Sequence, residues 1–499
     1  MSLNPNWIPM KWTGGPLEVQ RRAKAQTFTP EVKGMLTARM DPAALELVRR
    51  TPVNCLVVEW AAGEPADRDQ QSALVPLIEA GRRIGISFVG RVKRTADLRA
   101  AVAAGLQAGL SGVLVEGPSA QVEDFPVILQ CSRSNIPWDS HVPILSVTDN
   151  RWPGLEIHET EETPDAVTGP TGVPWVNSNG WFSLLARQLA AGKALWLDMD
   201  PPPQIEHWRA AGYSAAVADS YAYGSRWMIS LDEKLSIGAL RRQPEAIRVW
   251  ERVVAIISFF KEHADWAGFQ PQGSLTVVSR FRGEEEALGG EVLNLLSRQL
   301  VQYRVIEKSR LASTSLEGLE TILWVDEEPP TSETRSELLD FVSRGGLLIS
   351  ASFWGPPDCK PLVAEYSDHY KICGLGKGKI AASKDGFRDP YQVAVDTHLL
   401  MSRRSDWVRL FNAGTAISYF SADPHSRKEL VQIIDYRTSG VSEFVTAWVR
   451  TSNRSALFWS LESKEPAPLQ GVPAGAGVEF HLPSLSTYSA LEFEHRGVG

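Results

Sequence analysis

The chain has no apolar run of the roughly 18 residues that a membrane-crossing helix needs, and no stretch of Lys or Arg dense enough to track a phosphate backbone. Neither a membrane nor nucleic acid is therefore an expected partner. The N-terminus, MSLNPNWIPM, lacks the basic segment and apolar core of a secretory leader, so a bacterial cytoplasmic location and an exported one after leader removal both stay open. Cysteine is scarce: Cys55, Cys131, Cys359 and Cys373, with no CxxC pair. Buried free thiols are the expected state, and a Cys359–Cys373 bridge is the alternative. The nine histidines are scattered without zinc-like spacing, so no metal and no other cofactor is implied. No repeat with a period of 20–50 residues is visible.

What remains is an ordinary globular composition, 43% hydrophobic and 22% charged with a net charge of −8, spread over 499 residues. That length exceeds one hydrophobic core and predicts several domains. Tryptophan is abundant, at seventeen residues. Flat indole faces either fill cores or stack on sugar rings.

From about residue 33 to residue 231, short β-rich runs alternate with amphipathic helical segments, the pattern of a parallel sheet with crossover helices. Eight strands are predicted: GMLTAR (34–39), CLVVEW (55–60), SFVGRV (87–92), GVLVEG (112–117), PILSVTD (143–149), PWVNSN (174–179), ALWLDMD (194–200) and RWMISLD (226–232). Eight β/α units in about 200 residues fit a (β/α)8 TIM-type barrel, with the fourth unit weak because FPVILQCSR is short for a helix. A long helix over 244–266 closes this region, and GFQPQG (268–273) is a linker. LTVVSR, YRVIEK, TILWVDE and LLISASFW, separated by helices, then predict a smaller doubly wound, flavodoxin-like α/β domain. It carries no GxCxG elbow and no GxGxxG fingerprint, so amidotransferase and dinucleotide chemistry are not expected. Beyond residue 411, alternating strands broken by Gly, Pro, Ser and Asn turns predict an antiparallel β-sandwich. The expected boundaries are 1–267 for the barrel, 268–410 for the flavodoxin-like domain and 411–499 for the sandwich.

Three segments of the second half, LEGLETILWVDEEPPTSETRSELLDFVSRGGLLISASFWG, the turn GLGKGKI and GVEFHLPSLSTYSALEFE, carry a resemblance to the microbial β-galactosidases whose middle domain mediates trimer formation, and to their barrel relatives. The resemblance implies a bacterial, barrel-based glycoside hydrolase and a homo-oligomer built through the flavodoxin-like domain. It also implies an acid/base Glu, preceded by Asn, at the end of the fourth barrel strand and a nucleophilic Glu at the end of the seventh. This chain has Val115-Glu116-Gly117 at the first place, with the Glu but not the Asn, and Asp198 and Asp200 at the second.

Barrel sites lie at the C-terminal strand ends, where this sequence places Arg39, Glu59, Arg91, Glu116, Asp149, Asn177 with Asn179, Asp198 with Asp200, and Asp232. Glycoside hydrolysis needs one carboxyl group to protonate the leaving oxygen and one to attack or to activate water. Glu116, Asp198 and Asp200 are the catalytic candidates. Glu59 and Arg91, and Arg39 beside Glu59, are expected as ion pairs that hold the floor of the site. Asn177 and Asn179 offer both donors and acceptors to sugar hydroxyls, and Trp60, Trp152, Trp175 and Trp181 lie where an exposed indole would form a platform. Asp149 and Asp232 complete the ring. The acidic run over 156–162 is expected as a solvated face, with a divalent cation as the alternative. A glycan is the expected ligand; a non-catalytic glycan-binding or scaffold protein with the same architecture is the rival reading.

Overall fold

The computed structural model describes residues 3–26, 29–118, 125–158, 165–166, 174–311, 316–356, 359–362, 368–426 and 428–494. The chain forms two compact units, one from Met1–Pro153 with Ala190–Ala264 and the other from Gly154–Leu189 with Asp265–Gly499.

In the first unit, eight parallel strands run in the order of the sequence: β1 (Pro9–Lys11), β2 (Cys55–Ala61), β3 (Ser87–Val92), β4 (Gly112–Glu116), β5 (Val127–Cys131), β6 (Ile144–Val147), β7 (Ala194–Leu197) and β8 (Arg226–Trp227). A parallel bridge between Met10 and Ile229 joins β8 back to β1 and closes the barrel. The predicted count of eight holds, but two members differ. Residues 34–39 lie in a helix (Pro30–Ala38) and its C-cap: Thr29 accepts a hydrogen bond from Val32 N, and Pro30 occupies the first turn. Residues 176–177 pair only with Gly154–Leu155 in the second unit. The true first and fifth strands are the three-residue Pro-Met-Lys and the apolar Val-Ile-Leu-Gln-Cys.

Side chains alternate faces along a strand, and here the inward face changes character within two residues. Cys55, Val57, Val89, Leu114, Ile128, Ile144, Trp196 and Met228 form one apolar cluster that Leu3 and Trp7 complete. Two residues on from this layer, the same face presents Glu59, Arg91, Glu116, Gln130, Ser146, Asp198 and Ser230, and β1 ends on Lys11. The barrel therefore has a dry floor and a polar ceiling at its C-terminal end.

The second unit holds a seven-stranded sheet. Its parallel strands β9 (Leu275–Ser279), β10 (Tyr303–Glu307), β11 (Thr321–Trp324), β12 (Leu347–Ser350) and β14 (Gly378–Ser383) lie in the spatial order 10-9-11-12-14, the flavodoxin-like 2-1-3-4-5 arrangement. Antiparallel β13 (Tyr370–Leu375) hairpins onto β14. The Gly-Lys-Gly segment makes this turn: Gly376 has φ +59, and a Cβ on Gly378 would lie 2.2 Å from the carbonyl oxygens of Gly346 and Val342. A six-stranded and a four-stranded antiparallel sheet enclose a separate core that includes Phe420, Ile433, Phe458, Phe480 and Phe493. This is the predicted sandwich.

Cys359 and Cys373 form a disulfide with a Cα–Cα distance of 5.7 Å, while Cys55 and Cys131 are buried thiols. Cross-linking so short a loop removes chain entropy from the unfolded state, by about 3 kcal/mol for a loop of ~15 residues. The Cys359→Ser/Cys373→Ser variant should lower the denaturant midpoint of the second unit accordingly. An added reductant should move the wild-type midpoint to the same place and leave that of the variant unchanged.

Candidate functional site

The polar ceiling opens into a cavity of about 690 Å³. Seven of the eight strands contribute their polar inward residue to its lining: Lys11, Glu59, Arg91, Glu116, Gln130, Asp198 and Ser230. Trp12, Arg21, Arg39 and Asp232 line it as well.

These side chains form one connected network. Asp198, almost fully buried, meets Lys11 Nζ in an ion pair at its Oδ1 and accepts 2.7 Å from Gln130 Nε2 at its Oδ2. The Gln130 amide oxygen accepts from an Arg91 amino group at 2.7 Å. Arg91 then reaches two carboxylates, Glu59 at 3.5 Å and Glu116 at 3.6 Å. Arg21, from the helix Pro16–Ala25, donates to the other oxygen of Glu59 at 3.1 Å. Burial disfavours the charge on Arg21, yet Glu59, Glu64 and Glu18 outweigh it and raise its pKa. Lys11 also holds Asp200 at 2.7 Å, where Ser230 Oγ donates at 2.8 Å. Crowding by protein pushes the Asp200 carboxyl up, but Lys11 and Ser230 reverse this and hold it below the usual carboxylate range.

Glu116 differs from the other acids. Its ion pair with Arg91 is long at 3.6 Å, and about a third of its side chain faces solvent. Asp232 is tightly engaged: it caps the helix Glu233–Leu240 through Leu235 N, pairs with Arg209 at 2.9 Å and accepts from Tyr213.

The structure thus brings together Glu59, Arg91, Glu116, Asp198, Asp200 and Asp232, and confirms contact between Glu59 and Arg91. The expected pairing of Arg39 with Glu59 is corrected: Arg21 takes that place, and Arg39 reaches the cavity from its helix end. The remaining expected residues lie elsewhere. Trp60 faces outward, fully buried, and donates to Ala101 O in the helix Leu98–Ala108. Trp152 packs edge-on against Tyr213 and Trp227. Asp149 is exposed beyond β6 with φ +61 and does not line the cavity. Asn177, Asn179 and Trp181 belong to the second unit, where Trp181 is buried against Phe281 and the Cβ-free face of Gly290. Trp175 in that unit lies under the Arg298 guanidinium, 4.4 Å away. Of the acidic run, residues 159–162 lie outside the described residues. Among the described residues no cluster of His, Cys, Asp or Glu suits a metal ion, and no helix is long and apolar enough to cross a membrane.

Lys11, Gln130, Arg21 and Ser230 were not expected. Lys11 and Gln130 sit on two strands whose sequences carry no period-2 signal, a three-residue strand and a strand buried on both faces.

No family model and no curated protein sequence matches the chain. Solved structures do. The α-L-fucosidase isoenzyme 2 from Paenibacillus thiaminolyticus superposes with a TM-score of 0.58 at 8% identity, covering 98% of this chain and 99% of that one. The β-galactosidase from Bacillus circulans sp. alkalophilus gives 0.53 at 8% identity, covering 96% and 99%. At such identity the likeness shows a shared multidomain barrel fold.

Asp198 is buried with Lys11 as its cation, so removing that cation strands a charge in the barrel. Lys11→Met should cost about 3–5 kcal/mol of unfolding free energy, and adding Asp198→Asn should restore most of it. Denaturant titration of the two single variants and the double variant reads this coupling; an additive double variant would mean that the pair contributes nothing.

Proposed function

We propose that the chain is a glycoside hydrolase whose two working carboxyl groups are Glu116 and Asp198. The observation that carries the reading is the polar layer itself: on the strand count of the structure, the ends of strands four and seven present these two acids to one cavity. The two solved structures of the same fold are named as enzymes acting on glycosides, which supports the same class of substrate.

The roles follow from the contacts. A nucleophile or general base must be held at a fixed place facing the substrate, and Lys11 with the amide of Gln130 fixes both oxygens of Asp198 at the cavity. A general acid must reach solvent and the leaving oxygen, and Glu116 is the least constrained acid of the layer. Lys11 bridges Asp198 and the exposed Asp200. A shift of Lys11 towards Asp200 on substrate entry frees one oxygen of Asp198 for the anomeric carbon or for a water. A carboxyl separation of about 5–5.5 Å in the loaded enzyme means retention of configuration, and a wider one inversion.

One observation favours a second reading, a glycan-binding protein without turnover: both oxygens of Asp198 are already engaged. A panel of aryl glycosides separates the two. Glu116→Gln and Asp198→Asn should each lower kcat/KM by roughly 10²-fold or more on whichever glycoside is turned over. Saturable glycan binding with no turnover on any member would establish the second reading.

A further inference from the structure

The cavity lining carries seven cationic and eight acidic side chains. Each of the eight acids has a cationic partner within 4 Å: Glu18, Glu59, Glu116, Asp198, Asp200, Glu206, Asp232 and Glu233 meet Lys11, Arg21, Arg22, Arg91, Arg209 or Lys234. Among the described residues, that leaves Arg39 and Lys93 as the lining cations with no carboxylate partner. Lys93 is only partly buried, and water can solvate it. Arg39 is 2% exposed.

The surroundings of Arg39 hold it in place without neutralising it. One amino group donates to Ser236 Oγ at 2.9 Å and the other weakly to Thr13 O at 3.5 Å, while the buried Nε has no partner. The guanidinium lies 5.0 Å over the Trp12 ring, and Trp12 in turn donates to Arg39 O. Burial pushes the Arg39 pKa down to about 10, which still leaves it charged at neutral pH. A buried, hydrogen-bonded but unpaired guanidinium is poorly compensated by protein alone. Its planar donors suit a carboxylate or sulfate.

We propose that the cavity selects an acidic sugar, one bearing a carboxylate or a sulfate ester, and that Arg39 is the residue that pairs with that group, with Lys93 adding a second positive charge. The proposal rests on the glycan reading of this cavity and narrows it from sugars in general to anionic ones. Arg39 acts in binding and takes no part in proton transfer.

Calorimetric or ligand-observed NMR titration of the whole chain with matched probes tests it: galacturonate against galactose, glucuronate against glucose, and galactose 6-sulfate as the sulfate arm. The acidic member of at least one pair should bind about tenfold tighter or more, and the uronate and sulfate arms identify which anion fits. Raising the salt concentration should erode the preference. Arg39→Met should abolish it, and Lys93→Gln, on a partly exposed side chain, should reduce it, with circular dichroism confirming the fold of each. Equal binding within every pair, no binding of any probe, or a preference that survives both variants would overturn the proposal. Turnover of neutral aryl glycosides without any anion preference would sink this inference and leave the hydrolase reading standing; the reverse result would do the opposite.

Discussion

The ion pair between Lys11 and Asp198 is the constraint on which the rest of the barrel mouth depends. It joins the first strand to the seventh over the eighth strand that lies between them, in the polar layer above the apolar floor. Once Asp198 is charged and buried, its second oxygen needs a donor, which Gln130 supplies. Gln130 then needs a donor for its own carbonyl, supplied by Arg91. Arg91 brings two further acids, and Glu59 recruits Arg21 from outside the strands. A buried charge is tolerable only with such a closed chain of partners. The network spans six of the eight strands and is best understood as one unit, so a change at one member propagates to the others.

Much of the fold was legible in the pattern of the chain, and the exceptions have physical causes. Six of the eight barrel strands, four of the five parallel strands of the second sheet and six of the ten sandwich strands follow from apolar runs bounded by turn residues. β1 is only three residues long, too short to show any period. β5 is buried on both faces, and its apolar run has the same appearance as a short helix. Residues 34–39 look strand-like in isolation, yet Thr29-Pro30 upstream is a helix start, and the hydrogen bond from Val32 N to the Thr29 hydroxyl realises it. Two spurious strands and two missed ones left the count at eight. Glu116 and Asp198 therefore kept their places on strands four and seven.

The site was legible in its acids and in one cation, Arg91. Strand-end carboxylates are visible one at a time, whereas their other cations come from distant parts of the chain: Lys11 and Asp200 are 189 residues apart in sequence. The tryptophans misled for a related reason. An indole next to a strand end serves a helix interface as readily as a sugar, and parity decides between them. Trp60 follows inward-facing Glu59 and so must face outward, against Ala101. Trp12 follows inward-facing Lys11, yet it lines the cavity because β1 has already ended and the chain has left the alternation.

The same parity argument shows where recognition has to come from. Seven of the eight inward positions, all but Ser146, are engaged in pairing, which fixes their geometry but leaves little unsatisfied polarity to offer a ligand. Groups that enter from the loops and helices beyond the strand ends are not bound by that pairing. Arg39 arrives on the C-cap of a helix, Trp12 on the turn after β1, and Lys93 just past β3. On the proposed reading the strands set up the two carboxyl groups, and the selection of one sugar over another falls to the residues that the strands do not hold.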